Sequence, residues 1–222
     1  MLENYLSSEW PNKTACEINR WKYVVPSFAN LPQLFMNPEN KGYSVSDLLT
    51  KYLGLAPSQE HPLPWDTPQC GSFVRDEQPT PVTSIFKLPA VLHAESLIPS
   101  PKLMEDKLKP VFLHLVDGHS TEADIAQRIK TLIDYGIGPR WLCFNIAALY
   151  WRIKGSPNEA ITCLRAALYF EPERHADIAL TQLASIILRT AKVEHLSDVV
   201  AVLSAAMRVN PNEVRSFQLE IQ

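Results

Sequence analysis

Residues 141–172, WLCFNIAALYWRIKGSPNEAITCLRAALYFEP, decide the fold of this chain. The stretch predicts two helices joined by a short turn at residues 155–158, because Pro157 cannot occupy the interior of a helix. The first helix carries large, small and aromatic residues at Ile146, Ala147 and Tyr150. The second carries small, large and small residues at helical spacing, and Pro172 is predicted to end it: Ala160, Leu164 and Ala167.

This arrangement of small and large residues is typical of a tetratricopeptide repeat, in which small residues allow two helices to approach closely. A weaker second copy follows, with Pro211 in the closing position: Leu183, Ala184, Ile187, Val199, Leu203 and Ala206. The sequence therefore predicts a mainly α fold, an α-α superhelix of tetratricopeptide-like helical hairpins. Two copies are fewer than the three that usually form a stable array, so other parts of the chain should cover them.

The prolines indicate how the rest of the chain is organised, since 14 of the 18 lie within the first 110 residues. Proline-dense sequence excludes long helices, yet this part is too apolar for a solvated linker and should pack on the helices, with Trp151 as a docking point. A short helix is expected after Ser44 or Ser46 and before Gly54. The predicted segments are a Pro-rich, largely irregular, extended N-terminal arm (1–83), a degenerate helical pair at 102–116 and 121–135 that caps the repeats (84–139), repeat 1 (140–172), repeat 2 (173–213), and the start of a further helix or a C-terminal tail (214–222).

Composition and motifs exclude several classes of function. The formal net charge of -3 gives no basic surface for nucleic acid. No apolar run is long enough to span a bilayer, and the first 13 residues lack the apolar core of a signal peptide. The six histidines are scattered, and no nucleotide-binding or hydrolase motif is present. We therefore expect no enzyme, no catalytic residue, no metal and no cofactor, while the sequence indicates no oligomeric state.

The surface formed by the first helix of each repeat is the candidate site for a protein partner. Helical spacing directs six side chains toward it: Asn145, Ala148, Arg152, Gln182, Ser185 and Arg189. The two arginines occupy equivalent positions and could hold an acidic group of a partner peptide. The alternative is that they are solvated helix ends. If the N-terminal arm packs into this groove, it either blocks the partner or forms part of the fold.

Four cysteines are too few for a disulfide scaffold in a chain of this length. Cys143 and Cys163 lie in predicted helices and are expected to be small buried apolar residues. Cys16 and Cys70 lie in the arm and form a possible disulfide if the compartment is oxidising. Asn12 begins a possible glycosylation sequon. These features keep open a second interpretation, a disulfide-containing lumenal or secreted interaction domain.

Several segments resemble the N-terminal repeat region of the tetratricopeptide repeat protein 17 family. They are residues 147–154, 165–170 and 177–184, with 150–154 the most specific, and upstream residues 68–70, 87–89 and 93–94. The resemblance covers about residues 65–210. It implies a non-enzymatic scaffold linked to actin filament polymerisation and cilium organisation, with actin-regulatory protein partners. It also implies a location in the cytoplasm, on the cytoskeleton and at the cell membrane.

Overall fold

The fold was taken from a computed structural model, which describes residues 33–71, 84–116, 118–170, 173–190 and 193–211, all within the unit Pro32–Gln222. These residues contain eight α-helices and no β-strand. The helices are α1 (Val45–Leu49), α2 (Pro89–Glu95), α3 (Lys109–Leu113), α4 (Glu122–Tyr135), α5 (Arg140–Ile153), α6 (Pro157–Phe170), α7 (Ala176–Thr190) and α8 (Leu196–Val209). The predicted mainly α fold class is confirmed.

Two helical hairpins form the centre of the molecule. Helix α5 pairs with α6, and α7 pairs with α8. The turn between α5 and α6 contains Gly155 at φ +67° and places Pro157 at the start of α6, where its missing N–H costs no hydrogen bond. The small and large residues that predicted the first hairpin are all buried: Ile146, Ala147, Tyr150, Ala160, Leu164 and Ala167. We call α5 and α7 the A helices and α6 and α8 the B helices.

Helix α4 packs on α5 and extends the array on one side. Thr121 caps its first turn, because the Thr121 side chain accepts a hydrogen bond from the Asp124 N–H. Gly136, in the left-handed conformation, caps its last turn. The prediction of a partner helix over 102–116 is wrong. That stretch forms two 3-10 turns, Pro101–Leu103 and Asp106–Leu108, and then the five-residue α3. Pro110 lies in the first turn of α3, where proline is tolerated, and does not break a longer helix.

The described part of the arm contains the expected short helix, α1. Ser44 caps α1 by accepting a hydrogen bond from the Asp47 N–H, and a 3-10 turn then leads to Gly54 in the left-handed conformation. Helix α1 packs on α4 and buries Leu48 and Leu49. Gly138, at φ +76°, lies directly beneath it, and a Cβ there would be 2.4 Å from Leu48 Cδ1. Only glycine fits both that backbone conformation and that contact.

Helix α2 covers the opposite side of the hairpins. It packs against α6, α7 and α8 and buries Ala90, Val91 and Ala94 completely. The Ala90 N–H donates to Asp198 Oδ2 at 2.9 Å, so a carboxylate of α8 satisfies a free amide at the start of α2. Part of the apolar surface of the two hairpins is therefore covered by chain that precedes them, while Leu196 and Val200 of α8 stay exposed. This cover takes the place of the missing third repeat.

Candidate functional site

The six predicted groove residues lie on the A helices, and hydrogen bonds link three of them to one another: Asn145, Arg152 and Gln182. Arg152 Nη1 donates to Gln182 Oε1 at 3.2 Å, and Gln182 Nε2 donates to Asn145 Oδ1 at 3.0 Å. All six are buried, with exposed fractions of 0–7%: Asn145, Ala148, Arg152, Gln182, Ser185 and Arg189. They therefore form neither an open partner surface nor solvated helix ends. Other parts of the same chain fill the groove above them.

One of these parts is the segment 33–43, which we call the strap. Leu34 uses both of its main-chain groups in the groove. Its N–H donates to Ser185 Oγ at 3.1 Å, and its carbonyl accepts from Arg152 Nη2 at 2.7 Å. The two A helices thus bind Leu34 through both of its main-chain groups, one from each helix. The side chain of Met36 is 1% exposed. Hydrogen bonds to the main chain position an extended segment whatever its side chains are.

The second part is the irregular stretch before α3, which supplies Glu105. Arg152 Nε donates to Glu105 Oε1 at 2.7 Å and Arg152 Nη2 to Glu105 Oε2 at 2.8 Å, while Ser185 Oγ donates to Oε2 at 3.1 Å. The Arg152 side chain is 0% exposed and that of Glu105 2%. A buried ion pair of this kind persists only when its geometry is good and its remaining polar atoms are bonded.

The predicted acidic group held by arginine is therefore present, but it comes from the same chain. Arg189 Nη2 donates to the carbonyl of Met104 at 3.0 Å, one residue before Glu105. A cavity of only about 10 Å³ remains beside Arg152 and Arg189, which is too small for a partner side chain. A cavity of about 210 Å³ lies instead outside the groove, between Tyr43, Tyr52 and the start of α5.

The far end of the strap is held by charge and by aromatic rings. Lys41 Nζ lies 2.7 Å from Asp177 Oδ2, and the Asp177 side chain is 0% exposed. Tyr43 meets the Trp141 ring edge-on at 5.0 Å, and the ring of His175 stacks on Trp141 at 5.0 Å. Burial lowers the pKa of His175, and the nearby positive charges of Arg174 and Lys41 lower it further against the opposing effect of Asp177. His175 is therefore held in its neutral form.

A second buried arginine fixes the arm to α4. Arg128 Nε donates to Asp124 Oδ2 at 2.8 Å, and its other nitrogens donate to the carbonyls of Leu49 and Gln59. Asp124 Oδ1 in turn accepts from the His61 N–H at 2.6 Å. The Arg128–Asp124 ion pair therefore binds main-chain groups on both sides of the loop that follows α1. Further along, Trp151 Nε1 donates to the Pro68 carbonyl at 3.2 Å, which confirms the prediction that the arm packs on Trp151.

The arm ends its described course at a disulfide. Cys70 is bonded to Cys163 of α6, with an S–S distance of 2.03 Å. The predicted pairing of Cys70 with Cys16 is therefore wrong, as is the expectation that Cys163 is a simple apolar residue. The arm crosses α4 and Trp151 before it reaches α6, which brings Cys70 next to Cys163. Cys16 and Asn12 lie outside the described residues.

Cys143 behaves as predicted. It is a free cysteine and is buried in α5. Burial raises the pKa of its thiol to about 12, so almost no thiolate exists at neutral pH. Since the thiolate is the nucleophile, Cys143 is chemically inert in the folded protein.

Sequence reasoning missed four of the residues that close the groove and anchor the arm: Lys41, Glu105, Arg128 and Asp177. A signal existed for Arg128, because it falls on the apolar face of α4 among Ile125, Ile129 and Leu132. A charge at such a position indicates a buried, paired side chain. No comparable signal marks Glu105, since its partner lies 47 residues away in the sequence.

A metal site and a membrane-spanning helix are absent from the described residues. Within the described ranges, no group of three or more His, Cys, Asp or Glu residues is placed to hold a metal ion. Among the described helices, none has both the length and the hydropathy that a membrane crossing requires. What the groove can do chemically is bind an extended chain through main-chain hydrogen bonds, one ion pair and aromatic contacts.

Comparison with known proteins supports the resemblance predicted from the repeats. The chain is similar to tetratricopeptide repeat protein 17 of Danio rerio (27% identical), Rattus norvegicus (28%) and Homo sapiens (26%), each over 209 residues and 92–94% of the chain. The match therefore extends beyond residues 65–210 and takes in most of the first 64. The chain spans 15–17% of the length of these relatives.

No family model matches the chain. No solved structure matches it either. The fold and these relatives support one conclusion. The chain resembles tetratricopeptide repeat protein 17 of fish, rodents and human, and the resemblance covers nearly all of the chain.

Proposed function

We propose that this chain is a helical-repeat scaffold for protein–protein interaction, without catalytic activity. The observation that carries the proposal is the way the A helices bind an extended chain. Arg152 and Ser185 bind the two main-chain groups of Leu34, and Asp177 pairs with Lys41. A groove built in this way recognises protein segments. A net charge of -3 also favours a protein partner over nucleic acid.

A photo-crosslinking experiment tests the scaffold proposal. The crosslinking residue is placed at position 200 of α8 and at position 52, because Val200 and Tyr52 are 63% and 62% exposed. Position 202 is the matched control, since Val202 is fully buried one half-turn from Val200. We expect the same protein to be trapped from at least one exposed position and none from position 202. Crosslinking that is absent from both exposed positions in cells would contradict the proposal.

The finer proposal, based on resemblance to the family alone, is a role in actin filament polymerisation and cilium organisation with actin-regulatory partners. Polymerisation of pyrene-labelled actin, measured with and without the purified chain, tests a direct effect. We expect a changed elongation rate. Unchanged traces, together with failure to capture any actin-regulatory protein by crosslinking, would remove this part of the proposal.

Two locations remain as proposals, and they predict different chemistry. The resemblance implies the cytoplasm, cytoskeleton and cell membrane, whereas the alternative is the lumen of the secretory pathway or the exterior. Disulfides persist in oxidising compartments and are rare in cytosolic proteins. The state of Cys70 and Cys163 in protein isolated from its own cells therefore distinguishes the two: free thiols fit the first location, and a bonded pair fits the second.

A further inference from the structure

We propose that the strap is an intramolecular ligand, and that the groove between the A helices is a peptide site which a partner segment of the same chemistry enters when the strap leaves. This inference rests on the proposed scaffold function and adds the class of partner. The partner is a protein segment that is extended at two apolar residues two positions apart and then makes a 3-10 turn, as Pro38–Lys41 do in the strap, to present a lysine and an aromatic residue. In the strap these are Leu34, Met36, Lys41 and Tyr43.

The strap occupies the groove as a bound peptide would. Its main chain is bound at Leu34 through both the N–H and the carbonyl. An ion pair joins its Lys41 to Asp177, 136 residues away in the sequence. The main-chain bonds fix the position of any extended segment, while Asp177 selects for a positive charge. Affinity and specificity therefore come from separate contacts.

The Arg152–Glu105 part of the polar floor does not depend on the strap. Without it, Arg152 keeps both hydrogen bonds to Glu105, and Ser185 Oγ still donates to the same carboxylate. Asp177 Oδ1 still accepts from the Ile178 N–H. Arg152 and Glu105 thus keep each other as partners. Asp177 keeps its hydrogen bond from the Ile178 N–H but loses the positive charge of Lys41, so the emptied site favours a segment that brings a positive charge to Asp177. A site that is preformed in this way can exchange one peptide for another without losing its shape.

The chain also provides a point at which the strap can be separated. Residues 56–60, which follow α1 and its 3-10 turn, are exposed. A tethered ligand has an effective concentration on the order of millimolar, so the strap outcompetes a free segment of equal intrinsic affinity. The intact protein is therefore closed to weak partners, and cutting the tether should open the site by releasing the strap together with α1, to which it stays joined.

The test uses the folded, full-length chain. A protease recognition sequence is inserted between Pro57 and Ser58, both exposed, and the purified protein is cut after folding. A fluorescent peptide of residues 33–53 is then added and its anisotropy followed. We expect saturable binding to the cut protein, and binding to the uncut protein that is weaker by at least about a hundredfold, because the tethered strap competes.

Three peptides show whether the strap contacts carry the binding. The Lys41→Glu peptide faces Asp177 with the wrong charge, so we expect its affinity to fall by at least about tenfold. The Lys51→Glu peptide is the matched control, since Lys51 is exposed and pairs only with Asp47 of the same peptide; it should bind within about twofold of the unchanged peptide. A peptide of residues 44–53, which lacks the strap, should bind at least about tenfold more weakly.

Several results would overturn the proposal. These are aggregation of the cut protein, absence of exchange, equal binding of the Lys41→Glu peptide, or full affinity in the peptide of residues 44–53. Each would mean that the strap is a permanent part of the core. Such a result would leave the scaffold proposal intact if the uncut protein still crosslinks a partner from position 200 or 52. If the peptide exchanges but the uncut protein crosslinks no partner, the strap proposal stands and the scaffold proposal fails.

Discussion

Arg152 on the first A helix and Glu105 in an irregular stretch form a bidentate ion pair in the protein interior, at 2.7 and 2.8 Å. The same arginine donates to the Leu34 carbonyl at 2.7 Å. One side chain thus joins three parts of the chain that are distant in the sequence. Because its side chain is 0% exposed, its role is to hold those parts together.

Replacement of Arg152 by Ala should destabilise the fold strongly. It leaves the Glu105 carboxylate buried without its countercharge, which costs about 3–5 kcal/mol in the free energy of unfolding. The control is Lys51→Ala, which breaks an exposed ion pair and should cost about 0–1 kcal/mol. Urea unfolding measures both. Equal losses of stability in the two variants would show that the Arg152–Glu105 pair is not essential to the fold. Any partner-binding measurement on Arg152→Ala therefore requires a variant that is shown to be folded.

Gly138→Ala should be more harmful than Gly54→Ala. Both glycines have positive φ, +76° and +67°, so both variants carry a similar backbone strain of about 1 kcal/mol. A Cβ at Gly138 also meets Leu48 Cδ1 at 2.4 Å, whereas a Cβ at Gly54 has nothing within 4 Å. We expect an additional loss of about 1–3 kcal/mol at Gly138 from overpacking. Thermal or urea unfolding of the two variants measures this difference, which reports the contact between α1 and the turn before α5.

In protein made under oxidising conditions, non-reducing peptide mapping should find the peptide that contains Cys70 linked to the one that contains Cys163. The reason is that the arm brings the two residues to a Cα–Cα distance of 5.0 Å. Cys163→Ser should lower the free energy of unfolding by about 2–5 kcal/mol, because the bond closes a loop of 93 residues. A Cys70–Cys16 peptide in the wild-type map would refute the structural pairing.

Cys143 should resist alkylation in the native protein at pH 8. Its pKa of about 12 leaves roughly one thiol in ten thousand as thiolate at that pH, and its side chain is buried. Iodoacetamide followed by mass spectrometry should modify Cys143 only after denaturation. Modification of native protein within minutes would indicate that α5 opens locally on that timescale.

The free energy of unfolding should fall as the pH drops below about 6.5, the ordinary pKa of an unfolded histidine. Burial lowers the pKa of His175 in the fold, so its stabilising effect is complete above that pH and is lost as the solution approaches the lowered value. His175→Phe keeps a ring on Trp141 but cannot titrate. The measurement is urea unfolding between pH 7.5 and 5.5. The slope against pH should be smaller in the variant, and identical slopes would assign the effect to other groups.

The helical hairpins were predictable because their signal is local. Ala160, Leu164 and Ala167 fall on one face at a fixed spacing, and Pro157 and Gly155 mark the turn. Spacing along α5 and α7 likewise predicted which side chains share the groove. What spacing cannot indicate is whether solvent, a partner or the chain itself occupies the opposite side.

The occupants of the groove were therefore only partly predictable: the arm was one stated alternative and does enter the groove, whereas Glu105 was not foreseen. Glu105 and Leu34 reach Arg152 across 47 and 118 residues, and no periodicity links them. The short turns around Glu105 also carry enough apolar residues to be taken for the first part of a helix that is interrupted at Pro110. The predicted disulfide was wrong on similar grounds. The positions of the cysteines in the sequence suggested that Cys70 pairs within the arm, whereas the arm passes over α4 and Trp151 and reaches α6.

The bond between Leu34 and Ser185 has a consequence for synthesis of the protein. The two residues are 151 positions apart, and the ribosome makes the strap before it makes α7. At 5–20 residues per second, the strap leaves the ribosome roughly 8–30 s before the helix that receives it. During that interval Leu34 and Met36 have no groove to enter, so the nascent chain exposes apolar surface that a chaperone can bind.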